Sequence, residues 1–138
     1  MDDKAQTGTL SGGCMCGAVR YEAGWPPNWS AHCHCRDCQR ASGAAFVTYA
    51  GIRKDAFRWS KGAPKIFRSS PGVERSFCGD CGTSLAYWGE RWPDETHIFA
   101  ATLDEPGRAE PQIHIYTSEQ LPWIHLADGL PRKDKPGA

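Results

Sequence analysis

Three features that decide where a protein works are absent from this sequence. No apolar run approaches the roughly 20 residues that span a bilayer, and the first seven residues lack the basic and apolar regions of a secretory signal. Formal charge is balanced, with 16 Lys and Arg against 16 Asp and Glu. No field of one sign would therefore recruit nucleic acid or an acidic membrane. We expect a cytoplasmic protein with no membrane and no nucleic-acid partner.

Repeats, long linkers and helical segments are also scarce, so the 138 residues predict one domain. The one stretch of good helix formers runs from Arg36 to Ser42, and Gly43 follows it as a stop. We predict an all-β sandwich with one short helix over residues 9–131, between a flexible N-terminus (1–8) and a flexible tail (132–138). Alternating or β-branched runs, divided by Gly and Pro, predict strands at 18–23, 30–33, 45–50, 57–59, 65–68, 74–77, 84–88, 97–103 and 113–116.

Cysteine, by contrast, is frequent, with seven in the chain. Disulfides rarely persist in a reducing compartment, where clustered cysteines more often bind metal or act in catalysis. An odd number would also leave one thiol over if the rest were paired. The cysteines therefore predict metal binding.

Four of the cysteines form two pairs that stand beside glycines. A positive φ at glycine turns backbone N–H groups toward neighbouring sulfurs, as zinc knuckles require. The pairs therefore look like halves of one closed zinc site that ties the N-terminal strand to the middle of the sheet: Cys14 and Cys16 with Gly17, and Cys78 and Cys81 with Gly79 and Gly82. A redox C-x-x-C is the alternative, but it needs a βαβ context that is not visible here.

The other three cysteines, Cys33, Cys35 and Cys38, have the spacing C-x-C-x-x-C and lead into the predicted helix. Three thiolate ligands leave the fourth tetrahedral position of zinc free, as in catalytic sites. The alternative is a second structural site, closed by His32, His34 or a distant histidine. Because alternate side chains of a strand point to opposite faces, His32 and His34 are poor ligands for a metal that Cys33 and Cys35 share.

The ligand set of the central site predicts its chemistry. Zinc with three thiolates would carry a net charge of −1, which suits it to hold or release a substrate thiolate rather than to activate water. We therefore predict formation or cleavage of a carbon–sulfur bond in a small thiol. Arg36 and Arg40 are candidate binders of substrate carboxylates, with ordinary exposed charges as the alternative. The sequence identifies no general base.

The cysteine motifs and their flanks resemble the glutathione-dependent formaldehyde-activating enzyme (GFA) family, also called the CENP-V/GFA family. The resemblance is carried by Gly12–Glu22, Cys33–Arg40, Ser42-Gly43, Phe77–Thr83, Leu103-Asp104, Pro111, His114-Ile115, Trp123 and Asp128–Pro131. It implies a Mss4-like, zinc-stabilised β-rich fold with two zinc ions. One would be structural, on Cys14, Cys16, Cys78 and Cys81; the other would be catalytic, on Cys33, Cys35 and Cys38.

The activity that the resemblance implies is that of a carbon–sulfur lyase, which combines glutathione and formaldehyde into S-hydroxymethylglutathione. This chain is compact beside the enzyme that named the family, with short loops around the central site, so its own thiol and electrophile are left open. The alternative function is a non-catalytic zinc-stabilised module that binds a protein partner, because one fold serves many functions.

Overall fold

The computed structural model of the protein describes residues 8–135. These residues form ten strands: β1 Gly8–Gly13, β2 Arg20–Trp25, β3 Trp29–Cys33, β4 Val47–Arg53, β5 Phe57–Lys61, β6 Lys65–Ser70, β7 Val73–Phe77, β8 Ser84–Gly89, β9 Glu95–Phe99 and β10 Ile113–Ile115. Helix α1 spans Arg36–Ser42, and single 3-10 turns occupy Lys54–Ala56, Ala100–Thr102, Pro106–Arg108 and Thr117–Glu119. Neither α1 nor any of these turns has the length and apolar character needed to cross a membrane.

The strands form two sheets. The small sheet has the order β1-β2-β5, and the large sheet has the order β10-β3-β4-β9-β8-β7-β6. All strand pairs are antiparallel except β10 with β3, which is parallel. The parallel pair places the late segment after β10 next to Cys33, the cysteine that ends β3.

The main core lies between the two sheets. Strand β2 alternates half-buried and buried residues, as a strand with one covered face should. From the small sheet it contributes Tyr21 and Ala23, and these pack with Ile52, Leu85 and Ile98 of the large sheet. The predicted all-β sandwich is therefore confirmed.

Helix α1 has the predicted bounds because both of its ends are capped. The Cys35 thiol accepts a hydrogen bond from the backbone N–H of Cys38 at the N-terminus. Gly43 has a left-handed φ of 71° and donates its N–H to the Gln39 carbonyl at 2.7 Å. The short helix thus begins on one of the three central cysteines and carries another, Cys38, in its first turn.

The last described residues, which include the start of the tail expected over 132–138, lie along β10. The His114 N–H donates to the Pro131 carbonyl, and the Lys133 N–H donates to the His114 carbonyl, at 2.9 and 2.8 Å. The segment follows β10 because that edge strand offers unpaired backbone groups. Residues 136–138 and residues 1–7 of the expected flexible N-terminus lie outside the described part of the chain.

Candidate metal centres and the adjoining cavity

The first cysteine cluster joins two turns that are far apart in sequence. Cys14 and Cys16 lie in the turn between β1 and β2, and Cys78 and Cys81 lie in the turn between β7 and β8. All four sulfurs lie within 4.8 Å of one another, with Cys14–Cys16 at 3.7 Å and Cys16–Cys78 at 3.8 Å. Four tetrahedral sulfurs at the usual zinc–sulfur bond length lie about 3.8 Å apart. The cluster therefore fits a closed zinc site.

Backbone groups around this cluster point at the sulfurs. Cys14 Sγ accepts the Val19 N–H at 3.3 Å, and Cys78 Sγ accepts the N–H groups of Asp80 and Cys81 at 3.3 and 3.4 Å. Such donors favour the thiolate form that a metal needs. Hydrogen bonds from Thr83 likewise lower the pKa of the Cys81 thiol to about 5.

The glycine prediction is confirmed for two of the three positions. Gly17 and Gly82 both have φ of 81°, the left-handed conformation that glycine adopts without strain. Gly79 does not have a positive φ, and its role is different. A Cβ there would lie 2.9 Å from the Lys65 side chain, so Gly79 leaves room for that side chain beside the turn.

The second cluster brings together Cys33 at the end of β3, Cys35 at the N-cap of α1 and Cys38 in its first turn. The sulfurs are mutually within 4.8 Å, with Cys33–Cys38 at 3.8 Å and Cys35–Cys38 at 3.0 Å. Between residues 8 and 135, no further Cys, His, Asp or Glu joins this set. The three thiols can hold a metal ion, and a fourth ligand would have to come from elsewhere.

The neighbouring histidines lie on the other side of β3. His34 Nε2 hydrogen-bonds to His114 Nδ1 at 3.0 Å, and His114 Nε2 bonds to an Asp128 carboxylate oxygen at 2.8 Å. His32 Nδ1 bonds to the Thr48 hydroxyl at 2.7 Å. This arrangement matches the strand alternation expected from sequence, and it leaves both histidines outside the cysteine cluster.

Polar neighbours favour the thiolate of Cys38. Hydrogen bonds from Cys33 and Cys35 lower the pKa of the Cys38 thiol to about 3, and the Tyr49 hydroxyl, 3.2 Å away, and the positive charge of Arg75 act in the same direction. Burial raises the pKa of Tyr49, so its hydroxyl remains a donor. Sequence reasoning missed Arg75, because an arginine in an alternating run is usually an exposed charge, whereas in the structure all five residues of β7 are half-buried.

A cavity of about 730 Å³ opens beside the three sulfurs. Five aromatic side chains line it: Trp29, Tyr49, Tyr87, Trp92 and Tyr116. Two other tryptophans are placed elsewhere: Trp25 lies in the main core, and Trp59 packs against it.

The two arginines proposed as carboxylate binders are placed differently. Arg36 lines the cavity, with its Nη1 donating to Gln39 Oε1 at 2.6 Å. Arg40 is exposed on the helix and does not line the cavity. The backbone N–H of Arg36 donates to Glu119 Oε1 at 2.7 Å, so a carboxylate already occupies the N-terminus of α1.

Fold and site together define a β-sandwich protein with one four-cysteine cluster and one three-cysteine cluster that borders a cavity. The family model described as "Glutathione-dependent formaldehyde-activating enzyme" matches residues 9–119, and the chain belongs to this family.

Relatives with curated names agree with this assignment. A Halomonas elongata protein, provisionally named a glutathione-dependent formaldehyde-activating enzyme, is 28% identical over 127 residues, which cover 85% of this chain and 80% of the relative. An uncharacterized lyase of Schizosaccharomyces pombe is 29% identical over 76 residues, 55% of each chain. The crystal structure of a Rhodobacter sphaeroides protein superposes with a TM-score of 0.60 at 20% identity, covering 90% of this chain and 99% of that one, and shows the same fold.

Proposed function

We propose that this protein is a carbon–sulfur lyase that forms or cleaves the bond between the sulfur of a small thiol and the carbon of an aldehyde, with formaldehyde as the simplest case. The observation that carries the proposal is the set of three cysteine sulfurs that borders a cavity without a fourth protein ligand in the described chain. The names of the family and of the Halomonas relative support glutathione as one candidate thiol.

The proposal includes two zinc ions with different roles. Cys14, Cys16, Cys78 and Cys81 would hold a structural ion, and Cys33, Cys35 and Cys38 would hold a catalytic one. Bound at the second site, zinc would supply a Lewis-acidic position that a substrate thiolate can occupy. A reducing, cytoplasmic location would keep these seven cysteines available as thiols.

The reaction needs no oxidant or reductant. In the forward direction, a thiol adds to the aldehyde carbon, so that the carbon–sulfur bond forms and the carbonyl π bond breaks. The thiol proton ends on the oxygen of the new hydroxyl group, and cleavage reverses each change. Two groups of this chain support the anionic sulfurs during the reaction: the Tyr49 hydroxyl donates to Cys38 Sγ, and Arg75 offsets negative charge at the cluster.

Substrate carboxylates, where present, would find Arg36 at the cavity wall. Its guanidinium could pair with a carboxylate in a bidentate way. Arg40 would contribute only if a bound substrate extended beyond the cavity lining, so we expect Arg36→Gln to weaken glutathione binding more than Arg40→Gln does.

Exchange NMR with ¹³C-formaldehyde tests the activity directly. Thiols and formaldehyde equilibrate without help, so the quantity to measure is the exchange rate between free formaldehyde and its S-hydroxymethyl adduct. The zinc-loaded protein should raise this rate, and the Cys35→Ser variant should not, while its circular dichroism stays native. An exchange rate that the wild-type protein leaves unchanged for every thiol tried would contradict the proposal and favour the non-catalytic binding module.

A further inference from the structure

The cavity also points to a substrate class. We propose that it selects a thiol that carries an aromatic group, whose ring lies on the aromatic wall while its thiolate faces Arg75 beside the three sulfurs. This inference rests on the proposed function and narrows it, because a peptide-like thiol with two carboxylates would make poorer use of the same cavity.

The aromatic wall is organised around His97. The His97 ring stacks on Tyr87 with centroids 5.4 Å apart and an interplanar angle of 22°, meets Trp29 edge-on at 4.6 Å, and lies 5.7 Å from Trp92. Rings in offset or edge-on contact attract one another beyond the burial of their area. A flat ring on the substrate could extend this set of contacts, which an extended peptide chain could not do.

Hydrogen bonds hold the wall in place before any ligand arrives. The Glu95 carboxylate accepts the Trp29 Nε1–H at 3.0 Å, the Asn28 Nδ2–H at 2.9 Å and the His97 Nε2–H at 2.9 Å. Because these side chains are already ordered, binding of a ring would not lose conformational entropy by fixing them.

The charges around the cavity disfavour a substrate with two carboxylates. The lining contains three acids and three bases: Asp37, Glu95 and Glu119, and Arg36, Arg75 and Lys133. Each of two substrate carboxylates would therefore meet acidic groups as well as basic ones, and three thiolates on zinc would add one further net negative charge. Glutathione carries two carboxylates and one ammonium group, and its net negative charge would meet a lining that has no surplus of cations.

Arg75 is the cation best placed for the sulfur. Its Nε–H donates to the Ser69 hydroxyl at 3.1 Å, and its guanidinium lies over the Tyr87 ring, 5.2 Å from the centroid. Nη1 is buried without a hydrogen-bond partner in the described chain, and no carboxylate of residues 8–135 forms an ion pair with this side chain. The guanidinium faces the Cys38 thiol and the Tyr49 hydroxyl but no carboxylate of the described residues, so its half-buried charge would gain from a further anion, and an incoming thiolate is such an anion.

Binding of two probe thiols to the zinc-loaded protein tests the inference. Phenylmethanethiol and glutathione each bind by losing the thiol proton to the buffer, so calorimetry in one buffer compares them directly. We expect phenylmethanethiol to bind about tenfold more tightly, the order of one added aromatic contact. The cobalt-substituted protein gives a second readout, since a new sulfur ligand changes its absorption spectrum.

Two pairs of variants test the aromatic wall and the positive charge of Arg75 separately. Trp92→Leu should remove most of the preference for phenylmethanethiol, whereas Trp88→Leu, at the neighbouring end of β8 and outside the cavity lining, should keep it. Arg75→Gln should weaken both thiols about equally because it acts on the sulfur. The matched control is Arg68→Gln, on the same hairpin but outside the lining, and it should weaken neither.

The outcomes distinguish this inference from the function on which it rests. If neither thiol binds or changes the cobalt spectrum, the proposed function is wrong, and this inference is wrong with it. If glutathione binds as tightly as phenylmethanethiol, or if Trp92→Leu keeps the preference, the aromatic selectivity is overturned while the lyase proposal stands.

Discussion

Replacing Cys78 by serine should destabilise the whole domain rather than one turn. The Cys78 side chain is 1% exposed, and its sulfur lies 3.8 Å from that of Cys16, 62 positions earlier in the chain. One of the two turns belongs to the small sheet and the other to the large sheet. A metal ion shared by these turns would therefore close a long loop and fasten the two sheets together.

The size of the effect follows from the length of that loop. A cross-link that closes a loop of 62 residues lowers the entropy of the unfolded chain by an amount worth about 4 kcal/mol at 25 °C. The free energy of unfolding of a native protein is about 5–15 kcal/mol, so this loss is a large share of it. It corresponds to a fall in Tm of about 15 °C. Because structural zinc can contribute about 10 kcal/mol or more to folding, this figure is a lower bound.

Thermal unfolding followed by far-UV circular dichroism measures this effect on zinc-loaded protein. Cys35→Ser is the matched comparison, because Cys35 closes only a local loop with Cys33 and Cys38, and serine is a good N-cap for α1. We expect its Tm to fall by only a few degrees. A Cys78→Ser protein that melts within about 3 °C of the wild type would refute the cross-link argument.

Three further changes have definite expected results. Burial lowers the pKa of His97; the unfolded chain therefore binds the proton more readily, and stability should fall as the pH drops below about 6.5. Urea titrations at pH 7.5 and 5.5 should show that the free energy of unfolding falls less between these pH values in His97→Gln than in the wild type. An equal fall in both proteins would contradict the role of His97. Gly82→Ala, at a φ of 81° with open space around it, should lower the free energy of unfolding in urea by about 1 kcal/mol or more. Gly107→Ala, also in open space but without a positive φ, should lower it less. Equal losses in the two variants would contradict backbone strain at Gly82. Gly51→Ala would place a Cβ 2.3 Å from the Trp29 ring and should cost about 1–3 kcal/mol by overpacking, with a shift in tryptophan fluorescence that an undisturbed Trp29 would not show.

Local signals were sufficient to predict the elements that bring the cysteines together. Helix α1 has the expected bounds because its stop signal, Gly43, acts on the adjacent turn. The grouping of Cys14 and Cys16 with Cys78 and Cys81 followed from glycines next to them in sequence, and two of those glycines have the required φ. Such features depend only on a few neighbouring residues, so they can be predicted from a single sequence.

The strand ends were less accurate where tertiary contacts decide them. The strand expected at 97–103 is β9, Glu95–Phe99, because the chain turns into a 3-10 turn at Ala100 to meet β1 through the bridge between Leu103 and Gly12. The strand expected at 45–50 is β4, Val47–Arg53, since pairing with both β3 and β9 extends it. The alternation of hydrophobic residues in the sequence gives no information about these pairing partners.

The cavity could not be predicted because it depends on register across the large sheet. Tyr87 on β8 is paired with His97 on β9 and with Arg75 on β7. These pairings place a guanidinium and two rings side by side, next to cysteines that come from β3 and α1. Arg75 and His97 each lie in a short strand, and the residues next to them form no motif that would predict that their side chains come together.

Zinc content is the most direct test of the central claim that the three-cysteine cluster is a separate, open metal centre. Elemental analysis after reconstitution should give two zinc ions per wild-type chain and one per Cys35→Ser chain, with the circular dichroism of the two proteins unchanged. One zinc ion per chain in both proteins would show that Cys33, Cys35 and Cys38 hold no metal, and it would contradict the account.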